Sequence, residues 1–171
     1  NPAKMEHEPD GPWYYEQVAL GMNYRMTDMQ AALIISQLDK LPLFMKRRKE
    51  IVKAYDEAFS KLPQLFVQKE IPQSDTTRHL YILRIIPEKL KIDRKQFFEA
   101  LAAENICCQV HYIPVYYFPY YEKLGYQKGL CPKAEKLYEE EISLPLYYAM
   151  TDQDVDDVIQ AVTKIVEYFK R

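Results

Sequence analysis

The feature that most constrains the fold is an apolar stripe at the C-terminus. Val155, Val158, Ile159, Val162, Ile165, Val166 and Phe169 recur at three- and four-residue steps. Thr151-Asp152-Gln153-Asp154 stands just before them, a helix-capping box in outline. A helix with one apolar face must lay that face on another layer. The remaining sequence offers the layers. Residues 28–62 are helical, with Phe44, Ile51, Val52, Tyr55, Phe59 and Leu62 forming a second stripe. Pro42 removes a donor and clashes with the preceding turn, which divides this region into two helices, and Pro63 ends it. His79–Ile86 reads as a strand, rich in β-branched and aromatic residues. Asp93 caps a helix running to about Asn105, its inner face built by Phe97, Phe98, Leu101 and Ala102. Ile106–Tyr112 reads as the next strand. Strand, helix, strand is the order of a small α+β layer.

The rest is less regular. Residues 113–131 are rich in Pro and Tyr, with short helical turns expected from Tyr120 to Leu124 and stops at Gly125 and Gly129. Residues 132–141 form a charged helix with Pro132 near its first position. Ile142–Leu146 is extended, and Pro145 confines it to an edge or a strand end. Residues 1–20 form an irregular arm with a turn at Asp10-Gly11-Pro12. Trp13, Tyr14 and Tyr15 follow that turn with no local partner, which points to contact with another domain or subunit.

The chain has 171 residues, 28% charged and with a net charge of −2, so composition gives no reason to expect nucleic acid. No apolar run approaches the roughly 20 residues of a membrane span, and the opening residues do not read as a signal peptide. Three cysteines without a framework fit reduced thiols in a cytoplasmic protein, and no Cys or His spacing makes a metal site. With four glycines, the chain has no Gly-rich phosphate loop of its own. Fifteen tyrosines, several adjacent, suit an interface or a half-wet cleft, or else line the rim of the core.

Few residues are placed for chemistry. Cys108 and His111 fall on opposite faces of their expected strand, which argues against a nucleophile pair. Glu139-Glu140-Glu141 and Lys46-Arg47-Arg48-Lys49 read as solvated helix faces. His111 leaves a strand end for a Pro-fixed loop, a good platform for a binding residue, although a histidine there also serves as an ordinary structural one. Asn23-Tyr24-Arg25 precedes a Thr27-capped helix whose N-terminus can accept an anion; alone, it reads equally as a surface turn.

Longer strings narrow these alternatives. The order G-x-N-Y-R-M-T-D-x-Q-A-A from Gly21 to Ala32 resembles the DegT/StrS family of pyridoxal-phosphate-dependent nucleotide-sugar aminotransferases. So do Gln109–Pro114, Pro119-Tyr120-Tyr121, Gly125-Tyr126 and Ser143–Leu146. The resemblance covers about Trp13 to Phe169 and is nearest to the branch making 4-amino-4,6-dideoxy sugars on a UDP carrier. It implies the α+β small C-terminal domain of a fold-type I aminotransferase, with a mixed sheet flanked by helices. Residues 1–26 would be a dimer-reaching arm and cofactor-phosphate loop, and residues 27–171 the small domain. Asn23 and Arg25 would hold the phosphate of the pyridoxal 5'-phosphate bound by the other subunit of a homodimer. His111 and Tyr112 would line the nucleotide-sugar side of the site. The parent reaction would move an amino group, usually from glutamate, to a 4-keto-6-deoxy nucleotide sugar. The resemblance implies that the Schiff-base lysine and the acid on the pyridine nitrogen would lie in a large domain upstream of Asn1, and no lysine here sits in a matching motif. Alone, the chain is then expected to be inactive. A sugar dehydratase on the same scaffold, with histidine in place of that lysine, and a non-catalytic assembly domain are the alternatives.

Overall fold

The computed structural model describes residues 5–9, 11–22 and 24–171. The elements, in order, are α1 (Asp28–Phe59), β1 (Leu65–Val67), β2 (Tyr81–Ile85), α2 (Arg94–Ala103), α3 (Pro119–Glu122), α4 (Pro132–Glu140), β3 (Glu141–Leu144) and α5 (Asp152–Phe169). The chain divides into two compact units, residues 1–39 and 40–171, and α1 runs from one into the other.

In the first unit, Glu16 organises the arm. Its carboxylate accepts from the backbone N–H of Glu6 at 2.7 Å and of His7 at 2.9 Å, and from the Tyr14 hydroxyl at 2.7 Å. The Tyr14 N–H closes a turn on the Gly11 carbonyl; Asp10, part of the expected turn, lies outside the described residues. Trp13 and Tyr15 remain largely exposed, as do Met29, Leu33, Ile35 and Leu38 on the start of α1.

The second unit holds the core. β1, β2 and β3 form one antiparallel sheet in that order, with Leu65 opposite Ile85 and Tyr81 opposite Leu144. Tyr81, Leu83 and Ile85 alternate inward along β2. Ile51, Val52, Tyr55 and Phe59 of α1, Phe97 and Leu101 of α2, and Val155, Val158, Val162, Ile165 and Val166 of α5 close over them. Each such side chain stabilises the fold by about 1.5–3 kcal/mol when fully buried. The Tyr55 ring meets Tyr81 edge-on at 4.9 Å, and its hydroxyl donates to the Pro145 carbonyl at 3.0 Å.

The helix ends follow local chemistry. Thr151 with Asp154, and Asp93 with Gln96, form complete capping boxes. α2 ends sooner than expected because Asn105 takes a left-handed φ of 62°. The Ile106 N–H then reaches the Leu101 carbonyl and the Asn105 N–H that of Ala102, a Schellman closure.

Several expectations are corrected. α1 is one helix with Pro42 inside it, and it stops at Phe59. The sheet is antiparallel throughout rather than mixed. Ile106–Tyr112 is not a strand: it contributes a single antiparallel bridge, Gln109 to Ser143. The basic run is partly used inside the fold. Arg47 donates to the Met150 carbonyl at 2.7 Å and pairs with Asp152 at 2.8 Å, while Arg48 donates to the carbonyls of Arg78 and His79. Glu140 and Glu141 are buried, at 5% and 1% exposure, and are not a solvated face.

Candidate functional site

The loop before α1 contains Arg25, one of the two residues expected to hold a phosphate. Thr27 and Gln30 form their capping box: the Thr27 N–H donates to Gln30 Oε1 at 3.0 Å and the Gln30 N–H to Thr27 Oγ1 at 3.3 Å. The helix thus satisfies part of its own N-terminus, and anion binding at this loop would fall mainly to the Arg25 side chain. Arg25 is exposed and makes no salt bridge among the described residues. Asn23 lies outside the described residues. Tyr24, at 91% exposure, has its ring open to a partner.

The second place is the start of the loop after Gln109. The backbone of Gln109 and Ser143 exchange both hydrogen bonds, at 3.1 and 2.7 Å. A continuing antiparallel ladder would next pair His111 with Glu141. It stops there because Glu141 is also the C-cap of α4, its N–H committed to the Leu137 carbonyl. The Glu141 side chain takes over, and its Oε1 accepts the His111 N–H at 2.7 Å. Ser143 lies two residues on, hence on the same face of β3, with its Oγ 2.8 Å from His111 Nδ1. Tyr112 stands edge-on to the His111 ring at 4.6 Å and is 74% exposed. Burial pushes the Glu141 carboxyl above its ordinary value, against the opposing pull of the His111 N–H and the Arg94 charge. Its Oε2 is buried without a partner among the described residues.

A third knot shapes the Tyr-rich loop. Glu135 of α4 accepts from the Tyr116 hydroxyl at 2.8 Å and the Gly129 N–H at 2.7 Å. The Tyr116 bond leads the effects that hold its carboxyl below the ordinary range. Tyr117 packs edge-on against Tyr116 at 5.2 Å, and Lys128 lies over its ring at 4.8 Å.

The expected site residues therefore fall in both units: Arg25 in the first, His111 and Tyr112 together in the second. Sequence reasoning missed Glu141 and Glu135 as organisers. The available signal was strand alternation, which puts Glu141 and Ser143 on one face of Glu141–Leu144. Cys108 is buried and its thiol is pushed up to about 12 by burial, which suits a core residue and not a nucleophile. No cluster of metal-ligating side chains occurs among the described residues. Every described lysine is exposed.

The chain matches the DegT/DnrJ/EryC1/StrS aminotransferase family over residues 4–163 and belongs to it. Aminotransferases of this family depend on pyridoxal phosphate. The spore coat polysaccharide biosynthesis protein SpsC of Bacillus subtilis is 41% identical over 94% of this chain and 42% of its own length. A UDP-4-amino-4,6-dideoxy-N-acetyl-β-L-altrosamine transaminase of Campylobacter jejuni is 35% identical over 93% of this chain and 42% of its own. The PMP form of Spr1654 from Streptococcus pneumoniae superposes with a TM-score of 0.82 at 33% identity, over 91% of this chain and 39% of that one. The chain thus spans about two fifths of the length of the relatives it matches.

The cofactor fits these residues at one end. Arg25 offers an exposed guanidinium suited to a phosphate. Among the described residues no buried lysine could carry an imine to its aldehyde.

Proposed function

We propose that this chain is the C-terminal small domain, with its preceding arm, of a pyridoxal-phosphate-dependent aminotransferase acting on a nucleotide sugar. The observation that carries the reading is the family match along nearly the whole chain, together with a relative named as a UDP-amino-sugar transaminase. The substrate is a 4-keto-6-deoxy sugar on a UDP carrier, and the amino donor is glutamate. Pyridoxal phosphate, when bound, supplies the carbonyl that carries the amino group and the ring that stabilises negative charge at the reacting carbon.

Arg25 and Asn23 hold its phosphate with charge-assisted and neutral donors, reaching across the interface of a homodimer. His111 and Tyr112 orient the sugar nucleotide, Tyr112 with an exposed ring and His111 from a backbone held by β3. The exposed apolar side chains at the start of α1, among them Met29, Leu33 and Ile35, suit an interface of that kind. The 171 residues alone are expected not to turn over substrate, since every described lysine is exposed.

The test uses the full-length protein. Replacing Asn23 and Arg25 by Ala is expected to raise the dissociation constant for pyridoxal phosphate at least about tenfold, the loss of one good charge-assisted bond. An unchanged constant removes that role. Incubation with a UDP-4-keto-6-deoxy sugar and glutamate should give the amino sugar by mass; a dehydrated product would instead make the parent a dehydratase.

A further inference from the structure

We infer that two positioning residues act on His111, Ser143 holding the ring as its Nε2–H tautomer and Glu141 anchoring the backbone, so that the loop offers a donor to an acceptor oxygen of the sugar substrate. The inference rests on the reading of His111 as a substrate-facing residue and adds the sense of its hydrogen bond.

The argument is a count of protons. Ser143 is 4% exposed, and among the described residues its Oγ has one hydrogen-bond partner, His111 Nδ1 at 2.8 Å. A hydroxyl carries one proton, which needs an acceptor when buried. If Nδ1 bore the ring proton it would donate to Oγ, and the serine proton would be left without an acceptor. If the hydroxyl donates to Nδ1, both groups are satisfied and the ring proton of the neutral imidazole resides on Nε2. Nε2 has no partner among the described residues, so its N–H is available to a ligand.

The serine cannot drift away from this role. Its backbone exchanges two hydrogen bonds with Gln109, and its place in β3 is fixed by register with Ile82. Glu141 holds the other handle, the His111 N–H, at 2.7 Å. Backbone and ring of one loop residue are thus each tied to the same face of one strand. An outward N–H recognises a sugar hydroxyl or carbonyl oxygen or a phosphate oxygen, and has no use for a group that can only donate.

Nitrogen-15 NMR of the full-length protein with labelled histidine reads the tautomer directly in alkaline buffer, with His111 assigned by its loss in His111→Asn. The expected result is Nε2–H over Nδ1–H by more than about tenfold, the scale set by one buried unsatisfied donor. Ser143→Ala should lower that ratio toward the modest Nε2–H preference of a free imidazole, and Ser143→Thr should restore it. Glu141→Ala should speed exchange of the His111 amide by at least about tenfold. A wild-type Nδ1–H form, or a ratio unmoved in Ser143→Ala, overturns the inference for Ser143; an unmoved exchange rate overturns it for Glu141. The tautomer is read without substrate, so it stands or falls apart from the proposed function. If His111→Asn leaves binding of UDP-N-acetylglucosamine unchanged, it is the substrate role of the loop that fails.

Discussion

Glu140 gives the sharpest test of how this fold is held. Its side chain is 7% exposed and is met from two sides. Arg84 Nε donates to Oε2 at 3.1 Å, Arg84 Nη2 donates to the same oxygen, and Lys136 Nζ lies 2.6 Å from Oε1. Burial pushes the carboxyl up, and the bonds from Lys136 and Arg84 outweigh it, so the group titrates below the ordinary range. Glu140→Gln keeps the shape and removes the charge. Breaking a fully buried pair costs about 3–5 kcal/mol. Arg84 is 30% exposed and can regain water, so the expected loss here is lower, about 1.5–2.5 kcal/mol. Lys136 is 61% exposed, so Lys136→Met should cost far less than Glu140→Gln. Urea unfolding at neutral pH measures both. The pH dependence has a definite sign. A carboxyl whose folded value is depressed stabilises fully above its unfolded value, about 4.3, and the contribution fades as pH falls through the folded value. The gap between wild type and Glu140→Gln should therefore close in acid. Glu141 runs the opposite way, because its raised value favours the folded state at low pH, so the comparison needs the difference between the two proteins and not the wild-type curve alone. A Glu140→Gln loss below about 0.5 kcal/mol, or a gap that widens in acid, would refute the reasoning.

Other outcomes follow from single contacts. Exposed Cys107 and Cys131 should react with a thiol reagent in the folded protein, while Cys108, buried and with its thiol raised to about 12, should react only after denaturation; rapid reaction of all three thiols would contradict that burial. Thr151→Ala removes the oxygen that accepts the Asp154 N–H at 3.1 Å and should cost about 1 kcal/mol, read by the urea midpoint. Pro42 leaves the Leu38 carbonyl without its helical donor inside α1. Pro42→Ala should raise the amide protection of that turn and stabilise the helix, by up to about 3 kcal/mol.

Much of the architecture was written in short-range pattern. The α5 stripe, its Thr151 cap, the Asp93 cap and Pro132 at the start of α4 are local signals, and each was met. The errors arose where a distant partner decides. Pro42 predicts a break from local sterics alone, yet the helix runs through it. Arg47 and Arg48 look like solvent charges until the Met150, Arg78 and His79 carbonyls come within reach, from residues far along the chain. Glu140 and Glu141 continue a charged helix in sequence, but the chain turns from α4 into β3 between them, and that turn carries both inward.

The same turn explains why the His111 loop exists. Residues 106–112 have strand composition, and with a free ladder they would have extended the sheet beyond Gln109. Glu141 keeps its register with Arg84 but cannot pair with His111 as a ladder residue, since its N–H caps α4. Its carboxylate accepts the His111 N–H instead, and the chain departs from the sheet at that point. The departure has an energetic trace: a carboxyl with one oxygen satisfied and the other buried without a partner among the described residues. Local rules are most often broken where a fold is shaped for a ligand. Here the break leaves an imidazole ring fixed by Ser143 and an exposed Tyr112 beside it, held by a strand that packs into the core through Ile142 and Leu144. A loop residue tied to a buried strand by both its ring and its backbone moves less than one without those ties, and that restraint would suit the orienting role proposed for His111.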